Sequence, residues 1–116
     1  MDDNVIVSKS FDFALRVIKL YKYLKEEKAE FVMSKQVLRS GTSIGANVRE
    51  AEQAQSRPDF INKMNIALKE ASETEYWLEL LYRSGFVEEA HYQSIMVDCN
   101  EINRILISIV KTTKNN

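Results

Sequence analysis

Between residues 37 and 55 the chain reads VLRSGTSIGANVREAEQAQ. Small and apolar residues recur there in alternate steps of four and three, at Val37, Gly41, Ile44, Val48, Ala51 and Gln55. This is the spacing of the contact seam between packed helices. The seam keeps its phase across Gly41 and Gly45, so we interpret the stretch as one helix whose small residues let a partner helix come close. Each glycine costs roughly 1 kcal/mol of helix propensity relative to alanine, which close packing has to offset.

The rest of the chain has the same helical periodicity. Four helices are predicted, at residues 8–27, 32–55, 58–83 and 88–111. Ser10 is the candidate N-cap of the first helix, Pro58 suits the first turn of the third, and the polar residues 112–116 are expected to fray. Three glycines and one proline are too few for the turns of a sheet protein. We therefore predict a single all-α domain over residues 1–116, an up-and-down antiparallel four-helix bundle.

The first and third predicted helices are the ones whose buried faces bear on function. Apolar residues surround much of the first helix, which indicates burial by its own bundle and by a neighbouring subunit. These residues are Phe11, Phe13, Ala14, Leu15, Val17, Ile18, Leu20, Tyr21 and Leu24.

The third helix has a seam through Met64, Leu68, Ala71, Glu75, Leu78 and Tyr82. That seam places the carboxylate of Glu75 among apolar side chains.

Composition and charge argue against several classes of protein. Hydrophobic residues make up 45% and charged residues 28% of the chain, a balance that argues against disorder. The net charge of −1 argues against nucleic-acid binding through overall charge, although residues 1–57 carry +2 and residues 58–116 carry −3. The chain has one cysteine, no signal-peptide pattern, and no apolar run of the roughly 20 residues that a membrane span needs. We expect a cytoplasmic protein with no membrane partner.

The sequence contains no constellation that we interpret as catalytic or metal-binding. Glu88 and His91 have the Glu-x-x-His spacing of di-iron bundles, but such sites need the motif twice and the chain has one histidine. Cys99 falls on the apolar seam of the last helix, where an inert core thiol is expected. Gly41 and Gly45 lack the strand and the Lys-Ser/Thr of a phosphate-binding loop. We expect no enzyme activity, no metal and no cofactor.

Glu75 is the first candidate site, because a buried carboxylate needs a partner. Arg39, Ser43 and Asn47 share one face of the second helix and are the candidate partners. Three interpretations stay open: a structural polar network that fixes helix register, an internal ligand or ion site, and a Glu75 side chain that faces solvent or an interface.

A basic segment of the first helix is the second candidate site. Arg16, Lys19, Lys22 and Lys25 follow one another there with Tyr21 and Tyr23 between them. Basic and aromatic side chains together suit contacts with nucleic-acid backbones and bases. The alternative is a solvated helix face whose lysines lie over the apolar stripe.

Three stretches of the chain carry a resemblance to a known family. They are residues 39–51 (RSGTSIGANVREA), Asp59-Phe60, and residues 66–78 (IALKEASETEYWL). The pattern Arg-Ser-x-x-Ser-Ile-x-x-Asn, followed by Glu-x-Glu on the next helix, resembles the bacterial four-helix-bundle family of ribosomal-RNA intervening-sequence proteins. The resemblance covers nearly the whole chain. The accessory protein of diversity-generating retroelements is a relative of this family.

The resemblance implies a bundle that assembles as a ring-like homopentamer, and a link to RNA, because some genes of the family sit inside ribosomal-RNA intervening sequences. The positions that match the family pattern are Arg39, Ser43, Asn47, Glu50, Glu73 and Glu75. None is a catalytic residue in the family, which agrees with a structural polar network. The retroelement relative, which is thought to bind nucleic acid and a reverse transcriptase, is strongly basic, and this chain is not.

These observations lead to two functional predictions. The first is a non-enzymatic, homo-oligomeric interaction or scaffold protein, whose partners are further copies of itself and another protein. The alternative is an RNA-binding accessory protein that uses the basic segment.

Overall fold

Four long helices follow one another along the chain. The structure is a computed structural model that describes residues 3–115. The helices are α1 (Asp3–Lys28), α2 (Met33–Glu52), α3 (Arg57–Arg83) and α4 (Glu89–Asn115), and residues 3–115 contain no strand. Each helix packs on the next, and α4 closes back on α1 through the least extensive of the four contacts. The predicted all-α, up-and-down four-helix bundle is confirmed.

The start of α1 differs from the prediction. The helix already includes Asp3, so Ser10 is not its N-cap. Ser10 is buried inside the helix, and its hydroxyl donates to the carbonyl oxygen of Val7 at 3.2 Å. Ile6, one turn before Ser10, is fully buried. The burial of Ile6 explains why the helix extends beyond the serine that resembled a cap.

The ends of α2 and α4 also differ from the prediction. α2 ends at Glu52 rather than at residue 55, because the amides of Gln53 and Ala54 donate to carbonyls three residues back, each at 3.0 Å, which tightens the last turn. α4 begins at Glu89 and continues to Asn115, so the expected fraying is wrong for residues 112–115. Thr113 is half-buried there, and Asn116 lies outside the described residues.

Both ends of α3 are capped, and Pro58 lies in its first turn as predicted. The hydroxyl of Ser56 accepts a hydrogen bond from the amide of Asp59 at 3.2 Å, and Pro58 occupies the first turn. After the helix ends, Gly85 has a φ of 89°, and the amide of Phe86 donates to the carbonyl of Leu81 at 2.9 Å. This is the left-handed turn that glycine adopts without steric cost.

The buried face of α1 is narrower than its apolar composition indicated. Its core residues repeat in steps of four and three, and they are Ile6, Ser10, Phe13, Val17, Leu20 and Leu24. Phe11 and Leu15, which we had placed in the apolar stripe, are 47% and 48% exposed. The bundle therefore buries one side of α1 and leaves two large apolar side chains on the other.

Half of the predicted seam of α3 is buried as predicted, at Met64, Ala71 and Leu78, and the other half is not. Ala67, Thr74 and Leu81 are fully buried, whereas Leu68, Glu75 and Tyr82 are only partly buried. Each set alternates with Met64, Ala71 and Leu78 in steps of three and four, so the spacing alone does not choose between them. Thr74, not Glu75, is the buried polar residue, and its hydroxyl contacts that of Ser40 on α2 at 2.8 Å.

Gly41 fixes the approach of α2 to α1. A Cβ atom at this position would lie 2.8 and 2.9 Å from the two methyl carbons of Val17. The same test at Gly45 gives 3.4 Å to the carbonyl and hydroxyl oxygens of Ser10, which is an ordinary contact. The two glycines of the small-residue stretch therefore have different roles, and only Gly41 is required by packing.

We expect Gly41→Ala and Gly45→Ala to change stability in opposite directions. Alanine at either position gains up to about 1 kcal/mol of helix propensity, but at Gly41 overpacking against Val17 costs roughly 1–3 kcal/mol. Urea unfolding of both variants measures the difference. A Gly41→Ala variant at least as stable as the parent would show that α1 and α2 can separate at little cost.

Glu30 supplies the cap of α2 from outside the helix. Its carboxylate, 8% exposed, accepts hydrogen bonds from the amides of Val32, Met33 and Ser34 at 3.2, 3.0 and 2.7 Å. Burial raises the pKa of Glu30, but these amide bonds outweigh it and hold the pKa below its usual value of 4.5. A negative charge at a helix N-terminus is stabilised by the free amides and by the helix dipole.

We expect Glu30→Gln to lower the free energy of unfolding by about 1 kcal/mol at neutral pH. Because the pKa is lower in the folded state, the stabilisation is complete above pH 4.5 and is lost as the pH falls through the folded-state pKa. The difference between parent and variant should therefore shrink in acid, as measured by urea unfolding at several pH values. Glu27→Gln, at an exposed neighbour, is the control and should show no such difference.

Candidate interaction surfaces

The six residues that match the family pattern do not form one network. On the surface between α2 and α3, Arg39 pairs with Glu70 at 3.3 Å and also with Glu73. Glu73 in turn accepts a hydrogen bond from the indole nitrogen of Trp77 at 2.9 Å. The Arg39 side chain is 48% exposed, so solvent screens these pairs and each contributes little to stability.

The other α2 residues of the pattern make separate contacts. The hydroxyl of Ser43 donates to the carbonyl of Arg39 at 2.6 Å, and the amide of Asn47 donates to the carbonyl of Ser43 at 2.9 Å, both within α2. Glu50 pairs with Lys63 of α3 at 3.0 Å. Hydrogen bonds from side chains to carbonyls four residues back are local to the helix, so Ser43 and Asn47 do not bridge helices.

Glu75 has a partner that we did not predict. Its carboxylate accepts a hydrogen bond from the side-chain amide of Asn103 on α4, at 2.5 Å, rather than contacting Arg39, Ser43 or Asn47 on α2. Glu75 lies one helical turn after Ala71, whose carbonyl oxygen contacts Cys99 of α4, so Glu75 is on the α4 side of α3. The sequence carried little signal for this pair, because Asn103 is not one of the periodic apolar residues, such as Cys99, Ile102 and Leu106, that mark the buried face of α4.

The four cations of the basic segment of α1 do not share one environment, because Arg16 contacts α4 and the three lysines face solvent. Arg16 donates to Asp98 at 2.8 Å and to the hydroxyl of Ser94 at 2.7 Å, both on α4. Lys19, Lys22 and Lys25 are exposed. The ammonium of Lys25 lies 4.8 Å from the centre of the Tyr21 ring. Arg16 therefore ties α1 to α4, and the three lysines carry the positive charge of this face.

An apolar surface lies between α1 and α2. It consists of a recess of about 300 Å³, which the half-exposed Phe11 lines, and of the half-exposed side chain of Leu15 one turn further along α1. The recess is lined from α1 by Val7, Ala14 and Ile18 and from α2 by Thr42, Gly45 and Ala46. At the edge of the recess, the guanidinium of Arg49 lies 5.1 Å from the centre of the Phe11 ring. We call this area the α1–α2 surface.

The groups with nucleophilic or acid–base chemistry lie apart from this surface. Cys99 is buried between α3 and α4, with its sulfur 3.5 Å from the carbonyl oxygen of Ala71. Burial, with smaller contributions from Glu75 and Asp98, raises its pKa to about 12, so the group is a thiol at neutral pH. His91 is exposed and meets the ring of Tyr23 edge-on, with centroids 6.4 Å apart.

Within residues 3–115, no three His, Cys, Asp or Glu side chains are grouped so that they could hold a metal ion. No helix in the same part of the chain is both long and apolar enough to cross a bilayer.

The fold and these surfaces define a class, the small all-α bundle proteins with a partly apolar exterior. The particular family follows from comparison with known proteins: the model of the 23S rRNA-intervening sequence proteins matches residues 2–108, and the chain belongs to this family. The resemblance inferred from the sequence is thereby confirmed.

A solved structure agrees with this assignment. A crystal structure of a protein of unknown function from the S23 ribosomal protein family of Bacteroides thetaiotaomicron is 67% identical to this chain. The match covers 96% of this chain and 99% of the other, with a TM-score of 0.94. Among proteins with curated descriptions, none matches this chain.

Proposed function

We propose that this protein is a non-enzymatic interaction module that assembles with further copies of itself, and that the α1–α2 surface is its self-association face. The observation that carries the proposal is the half-exposure of Phe11, which lines an apolar recess, and of Leu15 one turn further along α1. Contiguous exposed apolar patches mark interaction sites in soluble proteins. A subunit number of five comes from the family resemblance.

The apolar residues of this surface are not needed by the bundle itself. The core face of α1 runs through Phe13, Val17 and Leu20, which are buried without Phe11 or Leu15. Full burial of a Leu or Phe side chain contributes roughly 1.5–3 kcal/mol. Covering the exposed half of these two side chains would therefore contribute about 1 kcal/mol each. This is less than the roughly 4–15 kcal/mol that association costs, so the recess and further contacts of the interface have to contribute as well.

The shape of the recess supports a helical partner. Thr42, Gly45 and Ala46 give it a low wall on the α2 side, because none of them has a long side chain. Small residues let two helices approach closely, and large side chains of one helix then fit over the small residues of another. Phe11 and Leu15 of a second copy have the size and polarity to fill the recess.

The non-enzymatic part of the proposal rests on the chemistry of two residues. Cys99, whose pKa is about 12, is buried and protonated at neutral pH, which makes it a poor nucleophile. His91 is on the surface against Tyr23. Arg39 and Glu73 form a solvent-exposed ion pair and Glu75 accepts a hydrogen bond from Asn103, so these three residues are engaged with other side chains.

The first test is the molecular mass in solution. We expect light scattering coupled to size exclusion to give an oligomer, and Phe11→Ser/Leu15→Ser to give a smaller mass at the same concentration, because the apolar area is lost. Ile107→Ser, at a residue of α4 that is 50% exposed, is the matched control and should leave the mass unchanged. A parent protein that is monomeric over the whole concentration range would contradict the proposal.

A second candidate function is RNA binding, and the exposed lysines of α1 are the observation in its favour. Lys19, Lys22 and Lys25 lie on one segment, with the Tyr21 ring beside Lys25. Repetition of this patch around an assembly would combine several weak contacts. Multivalency thus offsets the small net charge of a single chain, and the proposed assembly would precede RNA binding.

The same mass measurement with a mixed RNA pool at low salt tests this candidate. If RNA binds, the elution shift should disappear as salt rises and should be lost when Lys19, Lys22 and Lys25 are changed to alanine. Arg16→Ala should have a smaller effect, because Asp98 already pairs with this guanidinium. The control changes three exposed cations of α4 to alanine, namely Arg104, Lys111 and Lys114. An assembly whose elution RNA does not change would contradict RNA binding, and the interaction module would remain as the proposed function.

A further inference from the structure

A cleft lies between α1 and α4, apart from the α1–α2 surface. Its volume is about 280 Å³. No residue lines both this cleft and the recess of the α1–α2 surface. α1 and α4 make the least extensive of the four helix contacts, which leaves room for a cleft in the seam between them. We call it the α1–α4 cleft.

The floor of the α1–α4 cleft is apolar. Leu20, Val87 and Ile95 line it and are buried, with exposed fractions of 9%, 6% and 4%. The rings of Tyr23 and His91 also line it and meet edge-on, with centroids 6.4 Å apart. Aromatic rings attract a further ring through offset or edge-to-face contacts, beyond what the buried area contributes. The lining therefore suits a ligand with an aromatic body.

Side chains cross the seam at both ends of the cleft. At one end Arg16 reaches from α1 to α4, where it donates to Asp98 at 2.8 Å and to the hydroxyl of Ser94 at 2.7 Å. At the other end the ring of Tyr23 contacts that of His91. Arg16 and Tyr23 are seven residues apart, which is about 10 Å along a helix. A partner helix or strand laid along the seam would have to break both crossings, so the cleft favours a compact ligand.

One cation of the lining has no partner. Lys19 is exposed and forms no ion pair within residues 3–115. The charge of Arg16 is already paired with Asp98. No carboxylate of the described part of the chain lines the cleft. A single unpaired cation matches a single negative charge, which favours a carboxylate over a phosphate group with nearly two charges.

Two exposed glutamates lie beyond the cleft and do not cancel the charge of Lys19. Glu27 is eight residues after Lys19, about 12 Å along the helix. Glu88 precedes His91 by three residues, so it lies on the far side of the Tyr23–His91 contact from Lys19. Exposed charges farther apart than the Debye length, roughly 10 Å at 0.1 M salt, are largely screened. Lys19 therefore dominates the charge at the cleft.

We propose that the α1–α4 cleft binds a small aromatic carboxylate. The carboxylate pairs with the ammonium of Lys19, and the ring lies over the apolar floor between the two crossings. In sites of this kind the apolar contacts supply most of the affinity, and a few polar groups fix the orientation. This binding goes beyond the proposed self-association, because the cleft and the recess of the α1–α2 surface share no residue.

Titration of the full chain with naphthoate, followed by heteronuclear NMR, tests the site. We expect saturable shifts of the backbone amides of cleft residues, Leu20, Val87 and Ile95 among them. The Kd should be roughly 1 mM or lower, as is usual for a ligand of this size. Naphthamide has the same shape without the charge and should bind roughly fivefold more weakly.

Two matched variants test the role of the charge. Lys19→Gln should raise the Kd of naphthoate roughly fivefold, which is what an exposed ion pair contributes. It should leave the Kd of naphthamide unchanged, because only the charge is lost. Lys22→Gln is the control, since Lys22 is a neighbouring exposed lysine that does not line the cleft, and it should change neither Kd.

The outcomes are separate from those of the proposed function. A titration that does not saturate, or that shifts amides away from the cleft, would overturn the ligand site. Equal affinity for naphthoate and naphthamide would overturn it as well, because the apolar floor alone would then account for binding. A monomeric parent that binds naphthoate at the cleft would support the ligand site and contradict self-association, and an oligomer that does not bind it would do the reverse.

Discussion

The close approach of α2 to α1 at Gly41 is the constraint on which the rest of the surface depends. With no side chain at this position, the methyl groups of Val17 occupy the space that a Cβ would need. This contact fixes the rotation of α1 about its own axis, so that Phe13 and Leu20 point inward with Val17. Phe11 and Leu15 are then forced outward. The close approach at Gly41 and the burial of this face of α1 together leave Phe11 and Leu15 on the solvent side.

The fold was predictable because its signals are long and repeated. A seam of alternating four and three residues, few glycines and one proline are enough to predict helices and a bundle. The phase of each helix was harder to predict. On α3, the set with Thr74 and the set with Glu75 fit the same spacing, and the choice depends on which side meets α2 and which meets α4. Helix ends were missed for a similar reason, because burial of Ile6 and the half-burial of Thr113 extend α1 and α4 past their polar boundaries.

The candidate sites depend on contacts between helices, which a single sequence does not contain. In the sequence Arg16 resembled the three neighbouring lysines, but in the structure it forms an ion pair with Asp98 that connects α1 to α4. Asn103 had no distinguishing pattern, yet it is the partner of Glu75. The exposure of Phe31 and Val32 could be anticipated only with the knowledge that Glu30, three residues before the first residue of α2, supplies the cap.

The single cysteine has a consequence for how this protein can be observed. Cys99 is sealed between α3 and α4, and its high pKa keeps the reactive thiolate scarce. A thiol reagent therefore reaches it only when the two helices separate, and the rate of labelling measures how often the bundle opens. Because no other residue reacts, the mass of each chain records whether it has opened. The rate at which Cys99 is labelled therefore reports the opening of the bundle, and the measurement needs no change to the sequence.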